Sequence, residues 1–549
     1  MIKKAFIYSL IPFAAFACTR GGGNDDNDNA YFSFSSSRVN NIFSDLQYHG
    51  VDREPEIKLF FNDAIDRSSV EHSVTLTDGS TGSVTLNVSY QNGDSTLILK
   101  PSSKLSFITE YSLTVSTSLK ASDGKSLRSS VSLDITTAID STRKFETISD
   151  DSLLTLVQKK TFAYFWDFGH PVSGMARERN TSGDVVTTGG TGFGIMTIPV
   201  AVEHGFITRS EGLARVTKIV SFLANTAKKF HGAFSHWMNG STGEVVPFAA
   251  NDNGADIVET SYMMMGLLTA RQYFDGSLIA ETTLRENINK LWSDVEWDWY
   301  RKDGSQTLYW NWSPDYGWAV NVTVTGWNEC LITYVLAASS TTHSVPASVY
   351  ENGFANNGAI KNNNSYYGYI LPLGKAYGGP LFFEHYSFLG LNPTKLSDQY
   401  AGYHVQTVNH TLINYSYCID NPQKYYGYSN QCWGLTSSDT KTGYNASSPS
   451  NDVGVIAPTA AISSIPYTPD ESLRAMKFFY YILGDKIWGQ YGFTDAFDLD
   501  DAWFADSYLA IDQGPQIVMI ENYRTGLVWN LFMSCPEVQA GLTKLKFSY

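Results

Sequence analysis

The sequence predicts a multidomain chain: an N-terminal all-β sandwich of immunoglobulin-like type, then a large all-α domain arranged as an (α/α)6 toroid. Three observations lead there. The 549 residues exceed what one ordinary core supports. Between Asp52 and Thr137 the hydrophobic pattern has period two. From Phe145 onward it changes to helical spacing, broken by Gly-, Asn- and aromatic-rich loops.

The first element is an export signal. Lys3 and Lys4 precede a mostly apolar run, Ala5 to Phe16, that is too short to span a membrane. Ala15-Phe16-Ala17-Cys18 resembles a bacterial lipoprotein box, with Phe16 departing from the usual small residue. Cys18 is the expected lipidation site, and a plain signal peptide is the alternative. The acidic residues that follow resemble the surface-export signal of Bacteroidetes lipoproteins. The expected location is the outer membrane, facing periplasm or cell surface, with the lipid as the only membrane contact. Residues 19–50 read as a flexible tether.

The sandwich is expected over 51–140. Ile57–Phe61, Val74–Leu76, Val84–Val88, Thr96–Leu99, Tyr111–Val115 and Val131–Ile135 read as strands. Asp78-Gly79, Asn92-Gly93-Asp94 and Asp123-Gly124 supply turns. No catalytic constellation is visible here, so this module reads as a spacer or docking domain.

The helical domain is expected over 145–549. Its helices are Asp150–Trp166, Ser210–Phe230, Ile257–Phe274, Thr282–Trp292, Val320–Ala338, Gly379–Leu389, Ser397–Tyr417, Gly454–Ser464, Asp470–Leu483 and Pro515–Phe532. Thr187 to Gly194 is Gly-rich, but it lacks the Lys-Ser/Thr of a P-loop, so tight backbone packing is expected.

The net charge of −15 argues against nucleic acid or an anionic membrane surface as partner. The 33 Tyr, 31 Phe and 13 Trp suit either stacking on sugar rings or large helical cores. Beyond Cys18 the cysteines are Cys330, Cys418, Cys432 and Cys535, none in C-x-x-C spacing. A Cys418–Cys432 bridge and buried free thiols both remain open.

The densest chemistry lies in Asn251 to Tyr262. Asp252, Asp256 and Glu259 are four and three apart, so a helical turn would stack them on one face. Like charges that close raise a pKa, as a general acid needs; a capping cluster is the alternative. Asp512, just before Gln513-Gly514-Pro515, is expected at a helix start, aimed into a basin or acting as a cap.

Tyr164-Phe165-Trp166, Gly189-Gly190-Thr191-Gly192, the Asp252–Glu259 stretch, Gly326-Trp327-Asn328-Glu329, Asp512 to Pro515 and Ile520 to Gly526 together resemble the glycoamylase-like domain family. Within it the region is similar to glycoside hydrolase family 144, the bacterial endo-β-1,2-glucanases. The resemblance implies an (α/α)6 barrel that hydrolyses linear β-1,2-glucan to short sophorooligosaccharides without metal or cofactor. It carries the acidic triplet onto Asp252, Asp256 and Glu259, with a further acid at Asp512.

An inverting hydrolysis needs an acid and a base roughly 6.5–9.5 Å apart. Two residues on one helical turn are too close, so one carboxylate from the triplet should work with a distant one, Asp512 or Glu384. Glu259 is the first choice for the acid. Trp166, Trp237, Trp327 and Tyr523 are candidates for stacking on sugar. Arg177, His236, Glu329, Glu384, His385, Glu521 and Arg524 are candidates for polar contacts. A monomer is expected. Competing readings are a β-glucoside phosphorylase, a polysaccharide lyase, which the acidic loops disfavour, and a surface glycan-binding lipoprotein without turnover.

Overall fold

The computed structural model describes residues 31–79 and 82–549. The export signal, Cys18 and the start of the tether lie outside the described residues.

Among the described residues, nine strands build the N-terminal module: β1 (Phe34–Val39), β2 (Gln47–Val51), β3 (Ile57–Phe61), β4 (Val74–Thr77), β5 (Ser83–Val84), β6 (Leu86–Gln91), β7 (Thr96–Pro101), β8 (Glu110–Val115) and β9 (Val131–Thr137). They form two facing sheets, ordered β1-β3-β7-β6 and β2-β9-β8-β4-β5. Alternate residues such as Leu59, Leu97, Leu113 and Leu133 fill the space between them. Much of the stretch read as tether belongs here. β1 pairs antiparallel with β3 and β2 pairs parallel with β9, burying Val39, Tyr48 and Val51.

The rest of the chain is mainly helical: α1 (Asp150–Trp166), α2 (Thr188–Glu203), α3 (Arg209–Asn225), α4 (Ile257–Tyr273), α5 (Ile279–Ser293), α6 (Leu331–Ser339), α7 (Ala347–Val349), α8 (Tyr403–Asp420), α9 (Pro458–Ser463), α10 (Pro469–Tyr481), α11 (Gly484–Ile487), α12 (Ala510–Arg524), α13 (Leu527–Met533) and α14 (Pro536–Lys544). An inner ring runs α2, α4, α6, the 3₁₀ turns Leu381–Glu384 and Ser387–Leu389, α9 and α12. Nearly every residue of α2, α4, α6 and α9 is buried, which requires helices that are apolar or small all round. The amphipathic helices α3, α5, α8 and α10 pack outside with α1 and α14.

The Gly-rich run is the start of α2, not a loop. A side chain at Gly192 would lie 2.2 Å from the Tyr262 carbonyl, and one at Gly266 would lie 2.2 Å from the Gly192 carbonyl. Glycine lets α2 and α4 touch backbone to backbone, at a cost of about 1 kcal/mol in helix propensity per residue.

Other boundaries shift for local reasons. Thr208 with Glu211, rather than Ser210, forms the capping box of α3. Residues 320–330 are loop ahead of α6. The last expected helix is two, α12 and α13, divided by Gly526 at φ +70°. Pro515 lies inside α12, whose cap is Leu509. Cys330, Cys418, Cys432 and Cys535 are free and buried. Among the described residues, no helix is long and apolar enough to cross a membrane.

Candidate active site

The inner helices bring their N-termini to one end of the ring. Gly189 N–H, in the first turn of α2, donates to Glu259 Oε2 in the first turn of α4 at 2.7 Å. Thr459, at the start of α9, donates to the Asp512 carbonyl at the start of α12. Tyr262 of α4 donates to the carbonyl of Glu329, just before α6. Exposed helix N–H groups make this end electropositive, which suits carboxylates.

The triplet is not stacked on one helical face. α4 begins at Ile257, and Asp256 is its extended cap residue, on β10 (Ala255–Asp256), which pairs with β11 (Asn311–Trp312). Asp256 Oδ1 accepts from the N–H groups of Val258 and Glu259 at 3.0 and 2.9 Å. Its Oδ2 accepts from His236 Nδ1 at 2.9 Å and Trp310 Nε1 at 3.1 Å. Asp252 lies in the preceding turn, where Asn311 Nδ2 donates to both its oxygens at 3.2 Å. Burial, then the charge of Asp256, pushes Asp252 up to about 6. Burial pushes Glu259 up to about 7, with His236 and Gly189 N–H opposing and Asp256 assisting. Burial works against the His236 cation, but Glu259, Asp256 and Asp252 outweigh it and raise that ring to about 9. His236 stacks on Phe248 at 4.0 Å, with Trp237 edge-on. Glu329, half-buried, is raised to about 7 by burial and by the charges of Glu259 and Asp256.

A second acidic group gathers around Asp512. Asp495 precedes a two-strand hairpin (Phe497–Asp498 with Trp503–Phe504), and Asp439 sits on the hairpin Ser437–Thr440 with Gly443–Ala446. Asp495 Oδ2 accepts from Asp439 N–H at 2.7 Å. Asp439 accepts from Arg179 Nη1 at 3.1 Å and Ser507 Oγ at 2.6 Å. Asp495 Oδ1 and Asp512 Oδ2 are buried without another partner, and the two carboxyls bond once a proton sits between them. Burial and mutual repulsion raise Asp512 well above the usual carboxylate range; burial and the Asp439 charge push Asp495 up to about 7. Both cannot ionise near neutrality.

Tyr386 has its hydroxyl pushed up by burial and then by the charges of Asp512, Glu329 and Glu259. It packs with Phe193 and Tyr262. Glu178, Arg179, Asp439, Asp495, Tyr386 and Tyr444 were not among the expected site residues. A lone Asp495 inside the apolar run Phe493 to Phe497 was the available signal.

Several expected site residues hold the scaffold instead. Glu384 is fully buried and accepts from Trp327 Nε1, Gln406 Nε2 and His410 Nδ1, so it is sealed from water. Trp327 packs against Phe354, Phe388 and Tyr403. Burial lowers the His385 ring to about 3, leaving it neutral against Ser464. Glu521 accepts from Gln158, His204 and Thr525, and Arg524 donates to Thr155, Gln158 and Asp151. These two and Tyr523 lie at the C-terminal end of α12, about 14–18 Å along the helix from Asp512. Arg177 is spent on the carbonyls of Phe168 and Gly183. Trp166 lies on outer helix α1 beneath the Arg215 guanidinium, 4.3 Å away.

The family model described as glucoamylase matches residues 321–536, and that of a bacterial Ig-like domain matches residues 38–137. The chain is similar to an exo-β-1,2-glucooligosaccharide sophorohydrolase (non-reducing end) of Parabacteroides distasonis, 46% identical over 422 residues. That match covers 73% of this chain and spans 58% of the relative's length. Among solved structures, the Chitinophaga pinensis endo-β-1,2-glucanase complex with sophorotriose and glucose is 53% identical, with a TM-score of 0.72, over 73% of this chain and 99% of that one. The β-1,2-glucanase of Parabacteroides distasonis is 38% identical, with a TM-score of 0.71, over 93% of this chain and 72% of that one.

Proposed function

The chain belongs to the glycoamylase-like family, whose relatives here are β-1,2-glucan hydrolases, and from that premise we propose that it hydrolyses linear β-1,2-glucan internally, with inversion. One observation carries the proposal: the start of α2 joins two acidic groups at the N-terminal end of the inner ring, since Gly189 N–H donates to Glu259 while a side chain at Gly190 would lie 2.7 Å from Ala510, two residues before Asp512.

The proton donor in this reading is Glu329. Both Glu329 and Glu259 are raised to about 7 by burial, but the Gly189 N–H and the His236 cation favour the ionised form of Glu259, while the neighbouring charges on Glu329 favour its protonated form. Glu259 supplies the neighbouring charge that keeps the proton on Glu329. Glu329 gives that proton to the leaving glycosidic oxygen. Water attacks the anomeric carbon from the opposite face, and the Asp495–Asp512 pair takes the water's proton. Asp252 and His236, the latter positioned by Asp256, hold hydroxyls of the bound glucan, and Trp237 and Tyr444 offer ring faces.

A second reading is exo release of sophorose. It is favoured by the 46% identity to the Parabacteroides distasonis exo-β-1,2-glucooligosaccharide sophorohydrolase. Incubation with linear β-1,2-glucan in phosphate-free buffer, with products resolved over time, tests both. An early ladder of oligosaccharides supports endo action, and disaccharide alone from the first time point supports exo action. An intact glucan overturns the hydrolase reading. Export with lipidation at Cys18 belongs to the same proposal; fatty-acid labelling that persists in C18S would sink it.

A further inference from the structure

The N-terminal module grips the tips of the two hairpins that carry Asp439 and Asp495. The first hairpin turns at Lys441-Thr442, two residues past Asp439. Lys441 Nζ bridges Glu110 of β8 at 3.6 Å and Asp501 at 3.1 Å. The second hairpin turns through Leu499 to Ala502. There His49 Nδ1 pairs with the Asp500 carboxylate at 3.3 Å, and Thr136 Oγ1 donates to the Asp500 carbonyl. Asp500 also accepts from Tyr426 N–H at 2.8 Å, and Tyr426 OH accepts from Ile139 N–H at 3.1 Å. Gly50, at φ +65°, lets the module close on that ring: a side chain there would lie 2.6 Å from Tyr426 Cε2.

The stems of these hairpins are joined to each other inside the site. Asp439 N–H and Ser507 Oγ tie the stem of one to the carboxylate-bearing residue of the other. Asp495 N–H donates to the Ser507 carbonyl, closing the second stem. Asp500 lies five residues past Asp495, with the short strand Phe497–Asp498 between them. A stiff two-stranded ribbon held at its tip and at its stem has little freedom to tilt.

We infer that the Ig-like module is a working part of the active site, and that Lys441, with His49 and Thr136, positions Asp439 and Asp495 through the two hairpins. This rests on the proposed role of the Asp495–Asp512 pair. It departs from the spacer reading, in which the module could be loosened from the helical domain without effect on chemistry.

The test uses the full chain with K441M, K441R and the H49Q/T136V double variant, assayed on β-1,2-glucan. K441M and H49Q/T136V should each lower kcat by about tenfold with KM nearly unchanged, because a displaced base costs rate rather than binding. K441R should restore most of it. Melting temperature and near-ultraviolet circular dichroism should stay close to wild type. Hydrogen–deuterium exchange, which needs no activity, should rise in residues 437–446 and 495–507 of K441M. Unchanged kcat together with unchanged exchange would overturn the inference, as would a kcat loss matched by unfolded protein. A wild type inactive on every glucan, with exchange still raised in those hairpins, would remove the proposed reaction and leave the clamp.

Discussion

His236 Nδ1 lies 2.9 Å from Asp256 Oδ2, so a single carboxylate both caps α4 and holds a histidine. The ring is raised to about 9 by Glu259, Asp256 and Asp252 against the effect of burial, and is cationic at neutral pH. A folded pKa above the unfolded value of about 6.5 stabilises fully below that value, and the stabilisation is lost as pH rises through about 9. Denaturant unfolding of wild type should show this decline, and H236N should not. In D256N the amide keeps the cap, while the His236 titration measured by NMR should fall back towards neutrality and activity should drop.

Gly189 is packed against the acid cluster. A side chain there would lie 2.5 Å from Glu259 Oε2. Alanine favours helix by about 1 kcal/mol, yet G189A should lose activity, because Glu259 must move off the Gly189 N–H. The check is kcat beside a thermal melt; a stable, fully active G189A would refute the geometry.

Asp495 and Asp512 store an electrostatic penalty. Both have folded pKa values above the unfolded one, with Asp495 at about 7. The folded state therefore binds more protons than the unfolded state in this window, and stability falls as pH rises from about 4 to about 7. D495N should flatten that fall while abolishing most turnover. Unfolding free energies at several pH values, set beside activity, measure both.

Glu384 separates scaffold from chemistry. E384A strands the donors of Trp327, Gln406 and His410 in the interior. A destabilisation of about 3–5 kcal/mol is expected. Activity per folded molecule, from active-site titration at low temperature, should remain; a stable but inactive E384Q would return Glu384 to the mechanism.

Much of the fold was legible. β3, β7, β8 and β9 follow the two-residue alternation, and α1 and α4 begin and end close to their expected bounds. The start of α2 was not, because glycines that pack two backbones together look like a loop in one dimension. Nor was the tether: Phe34 to Val51 is too polar on its outer face to declare itself as strands without its partners. At the site, Asp252, Asp256, Glu259, His236 and Asp512 stood out through spacing and local polarity. Trp327, Glu384, His385, Glu521 and Arg524 stood out equally, since a polar group buried between helices reads like one that meets a ligand.

By itself the sequence determined the two kinds of domain, the change of period near Phe145, the family and the acidic stretch before α4, because these depend on neighbours within a few residues. Only the tertiary structure decided which carboxylates meet. Asp439, Asp495 and Asp512 come from three separate segments, and the raised proton affinities of Asp495 and Asp512 exist only once burial and neighbouring carboxylates act on them together. It likewise decided that the inner helices start at one end, so that Asp512 meets Asp495 there while Glu521, on the same helix, ties the far end together.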